Sequence, residues 1–213
     1  MMAFFVELDN SQYRPYSGEI MKAVKIIDRK QVRPTDAYIE DNMEPKTIAF
    51  STITVVQQMM DVDANIAGNV HGGSIMKLVD NTACMVGMRH TGGNAVTASL
   101  DRLDFHSPVY VGDILRIKTS VNYVGSTSME IGARIEAEAV LTGEIRHTAS
   151  AYLTFVSLDP EGKPRPIPQV ICETDRERER FSAALKRKEK RSEARQEAKK
   201  RAQNKHPQTE KSA

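Results

Sequence analysis

The chain has 213 residues, with 30 Lys and Arg against 28 Asp and Glu and a formal net charge of +2. This length is sufficient for one domain with a sizeable hydrophobic core. No apolar run approaches the roughly 20 residues of a transmembrane helix, and the first residues do not predict a secretory signal. The two cysteines, Cys84 and Cys172, cannot form a disulfide framework and belong to no metal-binding motif. We therefore expect a cytoplasmic protein without a metal site.

The charge is divided unevenly along the chain. Residues 174–213 carry 14 Lys and Arg against 7 Asp and Glu, whereas residues 1–173 carry 16 against 21. The basic tail alternates Arg with Glu, as in 176–180, and has no aromatic residue after Phe181. This pattern favours a solvated or oligomer-flanking helix over a nucleic-acid-binding segment.

Composition predicts four regions in chain order. Residues 1–46 contain scattered prolines and few apolar residues, which indicates an extension that packs on the rest of the protein. Residues 47–158 form the predicted body. Residues 159–173 are a proline-rich connector, and residues 174–213 are a charged, partly helical or disordered tail.

Hydrophobic periodicity predicts the fold of the body. Alternation of apolar and polar residues indicates strands at 47–56, 94–105, 114–123, 129–139 and 144–158. Apolar residues at helical spacing indicate one helix at 73–90, which Gly92 ends. Because no other element could cover the dry face of the sheet, we predict an α+β hotdog fold, with about five antiparallel strands wrapped round one helix. The exposed sheet edge predicts dimerisation edge to edge.

The start of this helix is the candidate site. A glycine-rich loop leads into it, so the N–H groups of Gly72 and Gly73 lie at the positive end of the helix dipole. Such donors suit an anion or a developing oxyanion, and the missing Cβ atoms permit close approach of a carbonyl.

Asp80 is the second candidate, a carboxylate at the flank of the apolar stripe, where burial without a partner is costly. The helix alone separates its own start from Asp80 by roughly 10 Å. Asn65, in the preceding loop, therefore does not easily reach Asp80 within one subunit. Two such helices laid antiparallel in a dimer would bring the Asn65 loop of one subunit to Asp80 of the other.

The pattern Asn65-x-x-Gly68-x-x-His71-Gly72-Gly73, with Asp80 nine residues after the histidine, resembles the hotdog acyl-CoA thioesterases. The segments 99–105 and 108–113 extend this resemblance, particularly to the cytosolic long-chain acyl-CoA hydrolases. It implies hydrolysis of fatty acyl-CoA to a fatty acid and CoA, without a cofactor. It also implies a homodimer or a trimer of dimers with acyl-CoA as the ligand.

The resemblance further implies a role for each site residue. Asp80 would be the general base or the nucleophile, and Asn65 of the opposing subunit would position the water or the substrate. Gly72 and Gly73 would stabilise the oxyanion. The remaining predicted substrate and CoA contacts are His71, Asn69, Ser126, Thr127 and Ser128.

Structural alternatives apply to several of these residues. A histidine in such a loop is more often structural than catalytic, and Asn65 and Asn69 are also typical turn and capping residues. Residues 125–128 are first a hairpin turn, and Cys84 is more consistent with a core or flank thiol than with a nucleophile. Basic residues of the tail could attract CoA. Two other functions remain open, a non-catalytic acyl-CoA sensor and a hydratase or dehydratase.

Overall fold

The computed structural model describes residues 43–205, so residues 1–42 and 206–213, including the predicted packing of the N-terminal extension, lie outside the described residues. The described segment contains seven strands and three α-helices. In chain order they are β1 (Lys46–Thr47), α1 (Ile48–Ser51), β2 (Ile53–Gln58), α2 (Gly72–Thr91), β3 (Asn94–Phe105), β4 (Ile114–Val124), β5 (Ser128–Glu138), β6 (Ile145–Leu158), β7 (Val170–Ile171) and α3 (Asp175–Lys205).

Five strands form one antiparallel sheet in the order β2-β4-β5-β6-β3. Helix α2 lies across its inner face, as the sequence predicts. The sheet and the long helix confirm the hotdog fold. Strand β3 forms one edge and, within residues 43–205, pairs only with β6.

Close packing of α2 on the sheet explains its apolar stripe. Ile75, Val79, Ala83 and Val86 are buried against side chains of β4, β5 and β6. A full burial of this kind contributes about 1.5–3 kcal/mol for each large aliphatic side chain. Gly87 allows the closest approach, since a Cβ there would lie 3.1 Å from the Ala95 Cβ atom.

The ends of α2 are set by two residues that satisfy free backbone groups. At the start, His71 Nδ1 accepts a hydrogen bond of 2.8 Å from the Gly73 N–H. At the end, Gly92 adopts a left-handed conformation with φ of 68° and donates its N–H to the Met88 carbonyl. The predicted bounds of 73–90 were therefore one residue short at each end.

The predicted first strand, 47–56, is partly wrong. A single turn of helix, α1, interrupts it because Thr47 Oγ1 accepts a hydrogen bond from the Phe50 N–H. The turn also buries Ile48 and places the Ser51 hydroxyl 2.8 Å from His90 Nδ1. These local and tertiary contacts outweigh the strand preference of the segment.

Helix α3 corrects the prediction of a solvated tail, because its first half packs on the outer face of the sheet. Ala184 is fully buried, and the rings of Phe181 and Tyr123 lie 5.2 Å apart. Arg187 forms an ion pair of 2.6 Å with the buried Glu130. The central helix α2 is therefore not alone in covering the sheet.

The proline-rich connector is folded onto the sheet. The Ile167 N–H donates to the Ser126 carbonyl at 3.0 Å, and the Ile167 side chain is buried. Its last residues form β7, which pairs in parallel with β1. Within residues 43–205, no helix has the length and apolar character needed to span a membrane.

Candidate active site

The loop between β2 and α2 is held in place by its own backbone. The His71 N–H donates to the Asp63 carbonyl at 2.7 Å, and the Val70 N–H donates to the Val109 carbonyl at 2.8 Å. The Asp63 carboxylate accepts a hydrogen bond of 3.2 Å from the Met60 N–H. The start of α2 is thereby fixed against the segment that follows β3.

Asn65 holds a tight turn inside this loop. Its side-chain oxygen accepts hydrogen bonds from the N–H groups of Ala67, at 2.8 Å, and Asn69, at 3.3 Å. Gly68 completes the turn in the left-handed region, with φ of 82°. Because the oxygen is engaged by two donors, the amide NH₂ of Asn65 is the group left to donate to a ligand. The structural and the functional roles of Asn65 are therefore compatible.

The two glycines at the start of α2 differ in what their N–H groups contact. The Gly73 N–H is engaged by His71, which acts here as the N-cap. The Gly72 N–H has no hydrogen-bond acceptor within the described part of the chain. Gly72 lines a cavity of about 420 Å³, together with Asn65, Asn69, Ile75 and Phe105. Gly72 is thus the available donor at this helix end.

Asp80 lies on α2 two turns further along and is half-buried. Its Oδ1 atom accepts a hydrogen bond of 2.6 Å from the Thr97 hydroxyl on the edge strand β3. The carboxylate lines a mostly apolar groove of about 280 Å³, together with Met76, Val79, Leu100, Leu103 and Leu153. A fixed carboxylate beside an apolar groove suits attack on the carbonyl carbon of an acyl group whose chain lies in the groove.

Within one protomer, the two predicted catalytic residues belong to different cavities. The cavity at Asn65 and the groove at Asp80 share no lining residue. Asp80 instead lies beside the edge strand β3, on which the apolar side chains of Val96 and Leu100 are exposed. That Asn65 does not reach Asp80 within its own subunit stays a prediction.

The turn at Ser126, Thr127 and Ser128 lies at the other end of the sheet from Gly72. Met129, just after it, packs near Gly87 at the end of α2, whereas Gly72 contacts Phe105 at the end of β3. The Ser126 and Thr127 carbonyls accept backbone hydrogen bonds from Ile167 and Ser157. One protomer therefore does not bring this predicted CoA contact to its own helix start.

Cys84 lies one turn after Asp80 on α2, and its thiol contacts the Ala95 carbonyl at 3.7 Å. Burial, and secondarily the negative charge of Asp80, raise the pKa of the Cys84 thiol above its usual value. Both effects disfavour the thiolate, so the prediction of a flank thiol is better supported than a nucleophile.

Thr97 is the candidate functional residue that the sequence did not reveal. In the sequence it is one of several threonines in a strand, and β-branched residues are common in strands. Only the pairing of β3 against α2 places its hydroxyl next to a carboxylate.

The chain is similar to one protein family and to relatives from mammals and bacteria. The family described as the thioesterase superfamily matches residues 67–143. The cytosolic acyl coenzyme A thioester hydrolase of Mus musculus is 38% identical over 142 residues, which are 66% of this chain and 37% of that protein. The uncharacterized acyl-CoA thioester hydrolase YkhA of Bacillus subtilis is 34% identical over 137 residues, which are 64% of this chain and 80% of that protein.

Solved structures agree with these relatives. The Staphylococcus aureus acyl-CoA hydrolase, in complex with butyryl coenzyme A, coenzyme A and coenzyme A disulfide, has a TM-score of 0.69 and 35% identity, covering 75% of this chain and 98% of that chain. An apo-hexameric acyl-CoA thioesterase has a TM-score of 0.69 and 34% identity, covering 70% and 97%. The S. aureus enzyme was also solved as alanine variants of one asparagine, one aspartate and one threonine. With this fold, this helix start and these relatives, the chain belongs to the hotdog-fold acyl-CoA thioesterases of the thioesterase superfamily.

Proposed function

We propose that this protein hydrolyses acyl-CoA thioesters to a carboxylic acid and free CoA, at sites shared between two protomers. The observation that carries the proposal is the Asp80 carboxylate, held by Thr97 beside an apolar groove at the sheet edge. Asn65 and the free Gly72 N–H line a separate cavity. Each protomer thus carries both parts of a site, but in different places. In an antiparallel pair, Asn65 of each protomer would meet Asp80 of the other, which gives two complete sites.

The variants of the S. aureus enzyme support this assignment. Its substituted asparagine, aspartate and threonine occur in the same order and at the same spacing as Asn65, Asp80 and Thr97 in this chain. The threonine is of particular interest, because in this chain Thr97 was singled out by its contact with Asp80 alone.

The chemistry requires one water molecule. In the general-base route, Asp80 takes a proton from water while the water oxygen bonds to the thioester carbon. The carbonyl oxygen becomes an oxyanion, which the Gly72 N–H of the partner protomer stabilises. The oxyanion collapses, the C–S bond breaks, and the CoA sulfur leaves with the proton.

In the nucleophilic route, an Asp80 oxygen bonds to the thioester carbon first, the C–S bond breaks, and CoA leaves as a thiolate that takes a proton from solvent. Water then cleaves the resulting anhydride, which releases the carboxylic acid and restores the Asp80 carboxylate. In either route the amide NH₂ of Asn65 from the partner positions the water or the thioester. The reaction uses no redox step, so we propose that no cofactor takes part and expect turnover to persist after dialysis against a chelator.

The relatives also bear on assembly and location. A hexameric thioesterase of the same fold supports a homodimer or a trimer of dimers. The name of the mouse relative supports a cytoplasmic location, although this chain matches only 37% of that protein's length. The apolar groove at Asp80 supports an acyl chain as the ligand.

Release of free thiol from acyl-CoAs of graded chain length tests the function. We expect CoA release from the wild type and loss of most of kcat in Asp80→Asn, which keeps the shape of the side chain and an acceptor for Thr97. Asn65→Asp keeps the oxygen that holds the turn but removes the NH₂ donor, so it separates the ligand role from the loop role. Tight binding of acyl-CoA without turnover would instead support the sensor alternative.

Mixing variants tests whether sites are shared. In a heterodimer of Asn65→Ala and Asp80→Ala, one of two sites regains both residues. When the two variants are co-expressed with different affinity tags and pair at random, about half of the dimers are heterodimers. Because each heterodimer has one complete site of two, about a quarter of wild-type activity should be restored. If Asn65 and Asp80 acted within one protomer, the mixture would stay as inactive as its components.

A further inference from the structure

We propose a second binding site, for a small molecule that carries two or more phosphate charges, on the outer face of the sheet. A cleft of about 690 Å³ lies there between β4, β5 and the first turns of α3. This volume is in the range of small-molecule sites in proteins. Five cationic side chains line the cleft, namely Lys118, Arg134, Arg176, Arg180 and Arg187.

The acidic residues at the cleft do not balance these cations. Glu136 is shared by Lys118, at 2.6 Å, and Arg134, at 2.7 Å. Arg187 is neutralised by Glu130, which lies beside the cleft. The Glu177 carboxylate accepts from the backbone N–H groups of Glu173 and Thr174, at 2.8 and 2.9 Å, so it is used to end the connector and start α3.

Arg176 and Arg180 are therefore the unbalanced charges. They are one helical turn apart on α3, and neither has an ion pair or side-chain hydrogen bond within residues 43–205. Burial, and secondarily the nearby charge of Arg176, lower the pKa of Arg180. The Glu177 carboxylate, which also lines the cleft, has the opposite effect on the pKa of Arg180. It is one negative charge beside two guanidinium groups, so an added anion is still stabilised there.

The side chains that line the cleft favour phosphate over other anions. Guanidinium groups bind phosphate oxygens in a two-pronged manner, and two of them one turn apart suit adjacent phosphates. Ser120, Ser150 and Tyr152 add hydroxyl groups to the lining of the cleft, and that of Ser150 also lies 2.9 Å from His147 Nε2. The volume leaves room for an organic group besides the phosphates.

This cleft is distinct from the Asp80 groove of the same protomer. Asp80 belongs to α2, which covers the inner face, whereas α3 and the cleft lie on the outer face. The sheet separates them. Two sources could supply the diphosphate group, a free phosphorylated metabolite or the diphosphate of a CoA molecule that is bound by another protomer.

Calorimetric titration of the full chain with inorganic pyrophosphate, ADP and CoA tests the proposal. We expect pyrophosphate to bind the wild type and to bind Arg176→Ala/Arg180→Ala at least about tenfold more weakly. Lys186→Ala/Lys190→Ala is the matched control, since it removes two exposed charges one turn apart on the same helix but outside the cleft. The affinity of the wild type should fall as salt is added.

Absence of pyrophosphate binding in the wild type would overturn the proposal, and so would equal weakening in the control variant. Asp80→Asn should still bind pyrophosphate, so a failure of the proposed hydrolysis would be recognised separately. An unchanged KM for acyl-CoA in the presence of pyrophosphate indicates a free metabolite as the source. A raised KM that the Arg176→Ala/Arg180→Ala variant abolishes indicates CoA itself, and both results support a phosphate site.

Discussion

The Thr97 hydroxyl donates a hydrogen bond of 2.6 Å to Asp80 Oδ1, and so connects the edge strand β3 to the central helix. A hydroxyl on a strand can fix a carboxylate on a helix only when both backbones are rigid. Here α2 is packed by its apolar stripe and β3 is paired along its length with β6. Oδ1 is thus held, and Oδ2 is the oxygen left to accept a proton or attack a carbon.

Removal of this hydrogen bond should reduce turnover more than substrate binding. Thr97→Val keeps the shape of the side chain but leaves Asp80 free to rotate, so we expect kcat to fall by roughly tenfold to a hundredfold. KM should change much less, because Thr97 positions Asp80. Steady-state hydrolysis of one acyl-CoA checks both parameters.

Thr97→Ser is the matched control, since it restores the hydroxyl on the same backbone. It should recover most of the lost kcat. Equal loss in the Val and Ser variants would mean that the methyl group, through packing at the sheet edge, matters more than the hydrogen bond.

Periodicity was sufficient to predict the main sheet and α2. Strand β3 was predicted at its observed bounds, and the predicted β4 was one residue short. These elements each have one dry and one wet face, so the alternation is visible in the sequence. Asp80 was singled out as a carboxylate at the flank of the apolar stripe, and the family resemblance supplied the predicted roles of Asp80 and Asn65.

The sequence could not show what covers the outer face. In the sequence nothing distinguishes Glu130 and Asp101 from other charged strand residues, yet they are the partners of Arg187 and Arg191 on α3. Their pairing joins residues far apart in the chain, and hydrophobic periodicity does not report ion pairs. The charged composition of α3 likewise concealed its docking, since one fully buried alanine, Ala184, and the ring of Phe181 are its main apolar contacts.

The Arg187–Glu130 pair should contribute measurably to stability. Glu130 is 1% exposed, and Arg187 also lies over the Tyr152 ring at 3.9 Å. Arg187→Ala would leave the Glu130 carboxylate buried with less positive charge beside it. We therefore expect the free energy of unfolding to fall by about 3 kcal/mol. Urea denaturation measures this loss. Lys186→Ala, the exposed neighbour, should stay within about 0.5 kcal/mol of the wild type.

His90 should make the protein less stable in mild acid. Its ring is fully buried, with Nε2 donating to the Pro168 carbonyl at 2.9 Å and Nδ1 accepting from Ser51 at 2.8 Å. Burial lowers the pKa of His90 below its usual 6.5 and outweighs the opposite effect of the Pro168 carbonyl. The unfolded chain therefore binds a proton first, and stability present above about pH 6.5 is lost as the pH falls toward the folded-state pKa.

Equilibrium urea unfolding between pH 8 and pH 5.5 measures this effect, which for one histidine is at most about 1.4 kcal/mol per pH unit. His90→Gln cannot titrate, so this variant should show a smaller pH dependence from a lower starting stability. An identical pH dependence in the variant would assign the effect to other groups.

Cys84 should be inert despite its position beside the proposed site. Its thiol pKa is raised by burial and by the Asp80 charge, so little thiolate exists near neutral pH and alkylation by iodoacetamide should be slow. Cys84→Ala should keep thioester hydrolysis, because neither proposed route uses a thiol. Mass spectrometry of the alkylated protein gives the rate for each cysteine. Rapid labelling of Cys84 at neutral pH, with loss of hydrolysis in Cys84→Ala, would replace Asp80 by this thiol as the attacking group.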